Sequence, residues 1–334
     1  MKVLIVPSDR ETCGTYRTFV YEKIKSDDIE FVISMVLTEK DITDPTIDAI
    51  LIQRPIHPEL PEFIKDCKKE GKLIVIETDD DISVIPANNP WFHQYKKGIK
   101  IHEECVRLAD YVHVATPEFK KNDKSFVFYN ALDLTKYGKR ERTGEVHWHG
   151  SRSHRDSLEL IRPTIRELLE QGIKVVLMSN LEWLKDIFKD IDNENLVFKG
   201  WVNIEDYYLE VKRADIFLTP LPKNKFNENK SELKCVESAA WGIPSVSSNI
   251  APYKRFHELS GGGNILIKKE RPKEWTKAIM EPLTNETLYN ECSQKSLEAV
   301  KKYYNLEIVN QNRAAWWQRV LAGRTKERPK DKEK

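Results

Sequence analysis

Asn229–Ser248, NKSELKCVESAAWGIPSVSS, follows a strand-like run, Ala214–Leu221 (ADIFLTPL), across a loop rich in Pro, Asn and Lys. Ser231 is placed to cap a helix, Gly242 falls where a left-handed residue would end it, and Pro244 precedes a buried strand. On a helical wheel Leu233, Val236 and Ala240 form an apolar stripe, with Lys230, Lys234 and Glu237 falling together beside it. One helix is thus predicted to carry a core face and a charged face. Its N-terminus and Lys230 suit phosphate oxygens, and Glu237, two turns in, suits a ribose diol. The same spacing also describes a solvated helix with favourable Lys–Glu pairs.

Upstream, EVHWHGSRSHRDSLELIRPTIRELLEQG predicts a strand at Val146–His149 and an amphipathic helix marked by Leu158, Ile161, Ile165 and Leu168 and ended by Gly172. Between them Gly150 and Ser151 make a small-residue turn that lets backbone approach a ligand, and Arg152, His154 and Arg155 load it with donors. A diphosphate suits such a turn, although neither GxxxxGK nor GxGxxG occurs there. IKVVLMSN, LVFKGWV, ADIFLTPL, IPSVSS and NILIK supply the remaining strands of this half.

KSELKCVESAAWGIPSVSS resembles the signature of retaining glycosyltransferases of the GT-B fold, the large family-4-like group, in its divergent bacterial and phage-type members. Their pattern has two Glu residues with seven positions between them; Glu237 matches the second, while Asn229 stands at the first. The resemblance implies an α/β chain of two Rossmann-like domains facing a cleft, with a C-terminal helix crossing back to the first domain. It implies transfer of a sugar from a nucleoside diphosphate donor to an acceptor hydroxyl, with retention, no bound metal and no cofactor. By the same resemblance Gly150 and Ser151 meet the donor diphosphate, with Arg155 first, Arg152 second, and Lys230 beside Ser231 completing the clamp. Val202, after the Gly200–Trp201 turn, flanks the base, and Glu237 holds the ribose.

The first half opens with a buried strand, KVLIVPSDR, and a loop reaching Arg17, which in the resembling family borders the acceptor side; Arg17 reads equally well as a surface residue. Strand-like runs at Phe31–Leu37, Ala49–Gln53, Leu73–Glu77, Tyr111–Ala115 and Ser125–Tyr129 alternate with helical stretches, predicting a parallel sheet. Thr78–Asp81 falls where ligands meet the ends of parallel strands. Asp80 or Asp81 either orients or deprotonates an acceptor hydroxyl, or the run caps the next turn. ANNPWFHQYKKGIK adds His93 as an acceptor-side candidate. YNALD (Tyr129–Asp133) resembles the family's turn towards the second domain.

Lys+Arg and Asp+Glu total 54 and 53 in 334 residues, so overall charge gives no signal for nucleic acid or membrane. Residues 94–142 hold 11 basic against 7 acidic side chains, either a solvated rim or an attraction for an anionic acceptor. A glycan acceptor is favoured over modified nucleic acid. Five cysteines without a CxxC pair and no apolar run long enough to span a bilayer suggest a cytoplasmic protein without integral membrane association. The expected division is 1–143, 144–305, a helix over 306–322 carrying Trp316 and Trp317, and a charged, disordered tail over 323–334. A nucleotide-sugar epimerase or a non-catalytic nucleotide-sugar binding module would share much of this pattern.

Overall fold

The computed structural model describes residues 1–325. The chain divides into two compact units: Met1–Ser83, His93–Ala131 and the chain from Leu306 form the first, and Val84–Phe92 with Leu132–Asn305 form the second. Most of the tail assigned from sequence to 323–334 lies outside the described residues.

The first unit is a six-stranded parallel sheet: β1 (Lys2–Val6), β2 (Glu30–Ile33), β3 (Ala49–Gln53), β4 (Leu73–Thr78), β5 (Tyr111–Val114) and β6 (Ser125–Val127). Their order is β2-β1-β3-β4-β5-β6. All of β3 and β4 is buried, as the near-continuous apolar runs predict for strands covered on both faces. The last helix, Leu306–Thr325, belongs to this unit. Trp316 and Trp317 enter the cluster containing Val3, Ile5, Tyr21, Val75 and Phe128. The Trp316 ring stands edge-on to Tyr111 at 5.3 Å and to His113 at 4.3 Å.

The second unit repeats the plan with β7 (Val146–His149), β8 (Val175–Met178), β9 (Leu196–Lys199), β10 (Ile216–Thr219), β11 (Ser245–Ser247) and β12 (Ile265–Leu266). These strands are all parallel and ordered β12-β11-β10-β7-β8-β9. From β7 the chain adds β8 and β9 on one side, then returns to place β10 on the other. The β7/β10 junction is therefore a topological switch point, the place where open α/β sheets hold ligands. In the first unit the equivalent reversal falls between β1 and β3.

Arg17 is not a surface residue: it is fully buried at the end of the short helix Thr12–Arg17. Its Nε and Nη2 donate to Glu77 Oε1 at 2.8 and 2.6 Å, and its Nη1 donates to the Phe128 carbonyl and to Asn130 Oδ1. A guanidinium consumed this way ties the helix to β4 and to the chain beyond β6, and it has no edge left for an acceptor. Burial raises the Glu77 carboxyl above its ordinary range, with Arg17 opposing the rise.

Candidate functional site

β7 ends at His149, and its alternate residues form a hydrogen-bonded line. Glu145 Oε2 lies 2.9 Å from His147 Nε2, and His147 Nδ1 lies 3.2 Å from His149 Nε2. Since a carboxylate only accepts, His147 donates through Nε2 and His149 donates in turn to His147 Nδ1. Both rings are buried, and burial holds their pKa values below the ordinary imidazole range, most strongly at His149.

Gly150 follows. A Cβ there would lie 2.5 Å from the Trp148 ring, so only glycine fits the turn. Its N–H donates to the Met178 carbonyl at 3.0 Å, so Gly150 contributes close approach and no free donor. Ser151 exchanges a hydrogen bond with Ser153 at 2.7 Å ahead of the turn Arg152–His154 and the helix Arg155–Glu170.

Across the switch point, the helix after β10 runs Leu233–Ala239. Its N-cap is Glu232 and not Ser231, and no side chain caps it. Glu232 is drawn away into a buried pair with Arg255, on a helix twenty-three residues later, and accepts from Tyr304 Oη at 2.5 Å. The start shifts because those partners outcompete a local cap. Gly242 adopts the left-handed φ of 67° that its place beyond the helix requires.

Two side chains of this helix reach the switch point. Lys234 Nζ donates to the backbone carbonyl of His149, joining the helix to the end of β7. Glu237, 4% exposed, accepts from Tyr207 Oη at 2.8 Å. Burial lowers the Lys234 pKa to about 8, with Glu237 opposing and Lys230 adding to the fall. Lys230 lies over the Phe226 ring at 4.5 Å. His154 is pushed well below the ordinary imidazole pKa by burial and then by Lys234 and Lys230, so these cations cluster against the turn that follows β7.

The other donor-side candidates lie further out. Arg155 is exposed and pairs with Glu159 one helical turn on, at 2.7 Å. Arg152 is exposed, as are Val202 (41%) and its neighbour Trp201 (49%). The contact of Lys234 with the end of β7 escaped the sequence reading, which noted its place on the charged face and chose Lys230. The signal was present, since Lys234 sits one turn from Glu237 and beside the apolar stripe.

At the strand ends of the first unit the Asp79–Asp81 run divides three ways. Asp79 takes a two-pronged ion pair from Arg54, with Nε and Nη2 each 2.6 Å from its oxygens. Asp80 receives a longer contact from Arg54 Nη2 at 3.3 Å and keeps 26% of its side chain exposed. Asp81, 3% exposed, accepts from Ser83 Oγ at 2.5 Å and pairs with Lys121 at 3.2 Å. Asp81 thus caps the turn Ile82–Val84, the alternative role read from the sequence. Burial raises the Asp79 carboxyl, but the Arg54 cation, then Arg17 and the hydrogen bonds it accepts, together outweigh burial and hold it below its ordinary pKa. His93 is exposed at the start of the helix Phe92–Leu108.

Residues 143–285 match the family model described as "Glycosyl transferases group 1". The matched stretch lies within the second unit. Among solved structures, HepE from Anabaena in complex with UDP has a TM-score of 0.70 at 11% identity, with 95% of this chain and 99% of that one covered. An alpha-glucosyltransferase in complex with UDP-glucose and DNA containing an abasic site has a TM-score of 0.63 at 13% identity, covering 94% and 98%. A glycosyltransferase from Rickettsia africae has a TM-score of 0.67 at 8% identity, covering 96% and 98%. These likenesses establish the two-Rossmann GT-B fold. No curated protein matches by sequence. Among the described residues no helix is long and apolar enough to cross a membrane.

Proposed function

We propose that this glycosyltransferase transfers a sugar from a uridine diphosphate sugar to a hydroxyl of a glycan, with retention and without a bound metal. The observation that carries this reading is the Lys234 and Glu237 pair on one short helix at the switch point of the second sheet. Lys234, with Lys230 beside it, takes the diphosphate, and Glu237 exchanges its Tyr207 partner for, or shares it with, the ribose hydroxyls. The uridine assignment is supported by the UDP and UDP-glucose complexes among the similar structures.

In chemical terms, bond cleavage at the anomeric carbon leaves negative charge on the diphosphate. A preorganised ammonium at the buried end of β7 stabilises that charge as it grows, usually the largest catalytic contribution. Asp80 is the acceptor-side group, since its side chain is the most exposed of the three, at 26% against 13% for Asp79 and 4% for Asp81. The acidic run at this strand end favours an uncharged polyol over a polyanion, which supports a glycan and opposes nucleic acid.

Replacing Lys234 with Ala should weaken UDP binding about 10- to 100-fold while changing uridine binding less than threefold, because a charge-assisted contact is worth roughly 1.5–3 kcal/mol. Calorimetry with the two ligands tests this; equal losses for both would remove Lys234 from the diphosphate role. Product anomer analysis by NMR tests retention, and turnover unchanged by a chelator tests metal independence.

A further inference from the structure

Arg54 follows β3 immediately and is the one non-glycine among the described residues with positive φ, at 45°. A side chain in the left-handed region is disfavoured, and such residues persist only where their surroundings over-determine them. Here the surroundings do so. The Arg54 N–H donates to the Glu77 carbonyl at 2.9 Å, tying its backbone to β4. Its guanidinium, 9% exposed, spreads over both oxygens of Asp79, reaches Asp80 Oδ2 at 3.3 Å, and donates through Nη1 to Tyr95 Oη at 3.2 Å. All this happens beside the β1/β3 reversal, the switch point of the first sheet, one strand away from the Asp79–Asp81 run that the sequence reading put at a strand end.

We propose that Arg54 is a positioning residue for sugar transfer, holding the Asp80 carboxylate beside the first sheet's switch point so that it can receive the acceptor hydroxyl. The inference rests on the reading of Asp80 as the acceptor-side group. Asp79 alone would not need the left-handed turn to be neutralised, since a lysine or a differently rooted arginine could supply one charge. The planar fork does more. Two prongs fix its plane on Asp79, and the remaining reach of the same nitrogen then defines where Asp80 can sit. Lysine, a single point of charge, can neutralise but cannot span both carboxylates in a fixed plane.

The experiment uses the full chain with UDP-glucose as donor and water or maltose as acceptor. Arg54→Lys should lower kcat at least 30-fold while the KM for UDP-glucose and the Kd for UDP stay within twofold of wild type. Asp80→Asn should do the same, and the double variant R54K/D80N should be no slower than D80N alone, because Arg54 acts only through Asp80. Thermal melting of each variant accompanies the kinetics. Arg54→Gln, similar in shape but uncharged, serves as a second probe should the lysine variant fold poorly. Full additivity of R54K and D80N, or near wild-type kcat in a well-folded R54K, would overturn the proposal and leave the donor reading untouched. Absence of wild-type turnover on any nucleoside diphosphate sugar would remove the enzyme reading of Asp80, and the role of Arg54 with it.

Discussion

The two sheets reverse direction in comparable ways yet furnish their switch points with opposite chemistry. In the second unit the ends of β7 and β10 gather Lys234, Lys230 and His154 around a glycine turn, with one carboxylate, Glu237, set apart by a Tyr207 hydrogen bond. In the first unit the ends of β3 and β4 set Asp79 and Asp80 against the buried Arg54 guanidinium, with Asp81 paired to Lys121 beside them. The same backbone plan can thus present a cationic or an acidic rim, because the rim residues follow the strands and take no part in sheet packing. Fold resemblance alone carries no information about this division; the side chains do.

Glu237→Gln offers the strongest means of breaking the contrast. It preserves shape but exchanges an acceptor for a donor, so UDP affinity should fall roughly 10- to 100-fold. A 2′,3′-dideoxy nucleotide should bind wild type poorly and lose little more in the variant. Calorimetry on all four combinations decides, and independent, fully additive losses would make Glu237 a structural partner of Tyr207 and nothing else.

A smaller effect sharpens the cationic side. With its pKa held to about 8, Lys234 gives up its proton in the folded protein while an unfolded lysine keeps one up to its ordinary value of 10.5. Between those values the unfolded chain binds more protons, so this group makes the ligand-free fold gain stability as pH rises. UDP should reverse the preference, because it favours the protonated amine. The melting shift produced by UDP should therefore be larger at pH 7 than at pH 9, with affinity falling several-fold across that interval. Glu237, Lys230 and Cys235 all act on this amine, and Lys234→Met should abolish the pH dependence.

Arg155→Ala should have the least effect. Its pair with Glu159 is half exposed and worth about 0.3–0.5 kcal/mol, so loss of UDP affinity should stay below threefold. A tenfold loss would show that Arg155 leaves Glu159 to reach the diphosphate.

What the sequence disclosed follows from the range of the interactions. β3 and β7 occupy the predicted residues, and the other ten strands lie within or overlap their apolar runs, because strand formation here depends on local hydrophobicity and bounding turns. Gly242 was legible because a left-handed residue after a helix is a local requirement. Arg17 was not, since its partners are Glu77, Phe128 and Asn130, at least sixty residues away. Ser231 failed as a cap for the same reason, as Arg255 and Tyr304 claim the neighbouring Glu232. Arg54 gave no signal at all: an arginine after an apolar run is ordinary until the fold brings Asp79 and Asp80 against it.

The membership of Leu306–Thr325 in the first unit bears on how the chain is made. Val3, Ile5 and Tyr21 leave the ribosome some three hundred residues before the Trp316 and Trp317 rings that share their cluster. The intervening second unit, from Leu132 to Asn305, can complete its own core during synthesis. The first unit must wait with part of its apolar surface uncovered, so the order of folding inverts the order of translation. Nascent chains stalled before residue 306 should resist proteolysis over the second sheet and yield to it over the first.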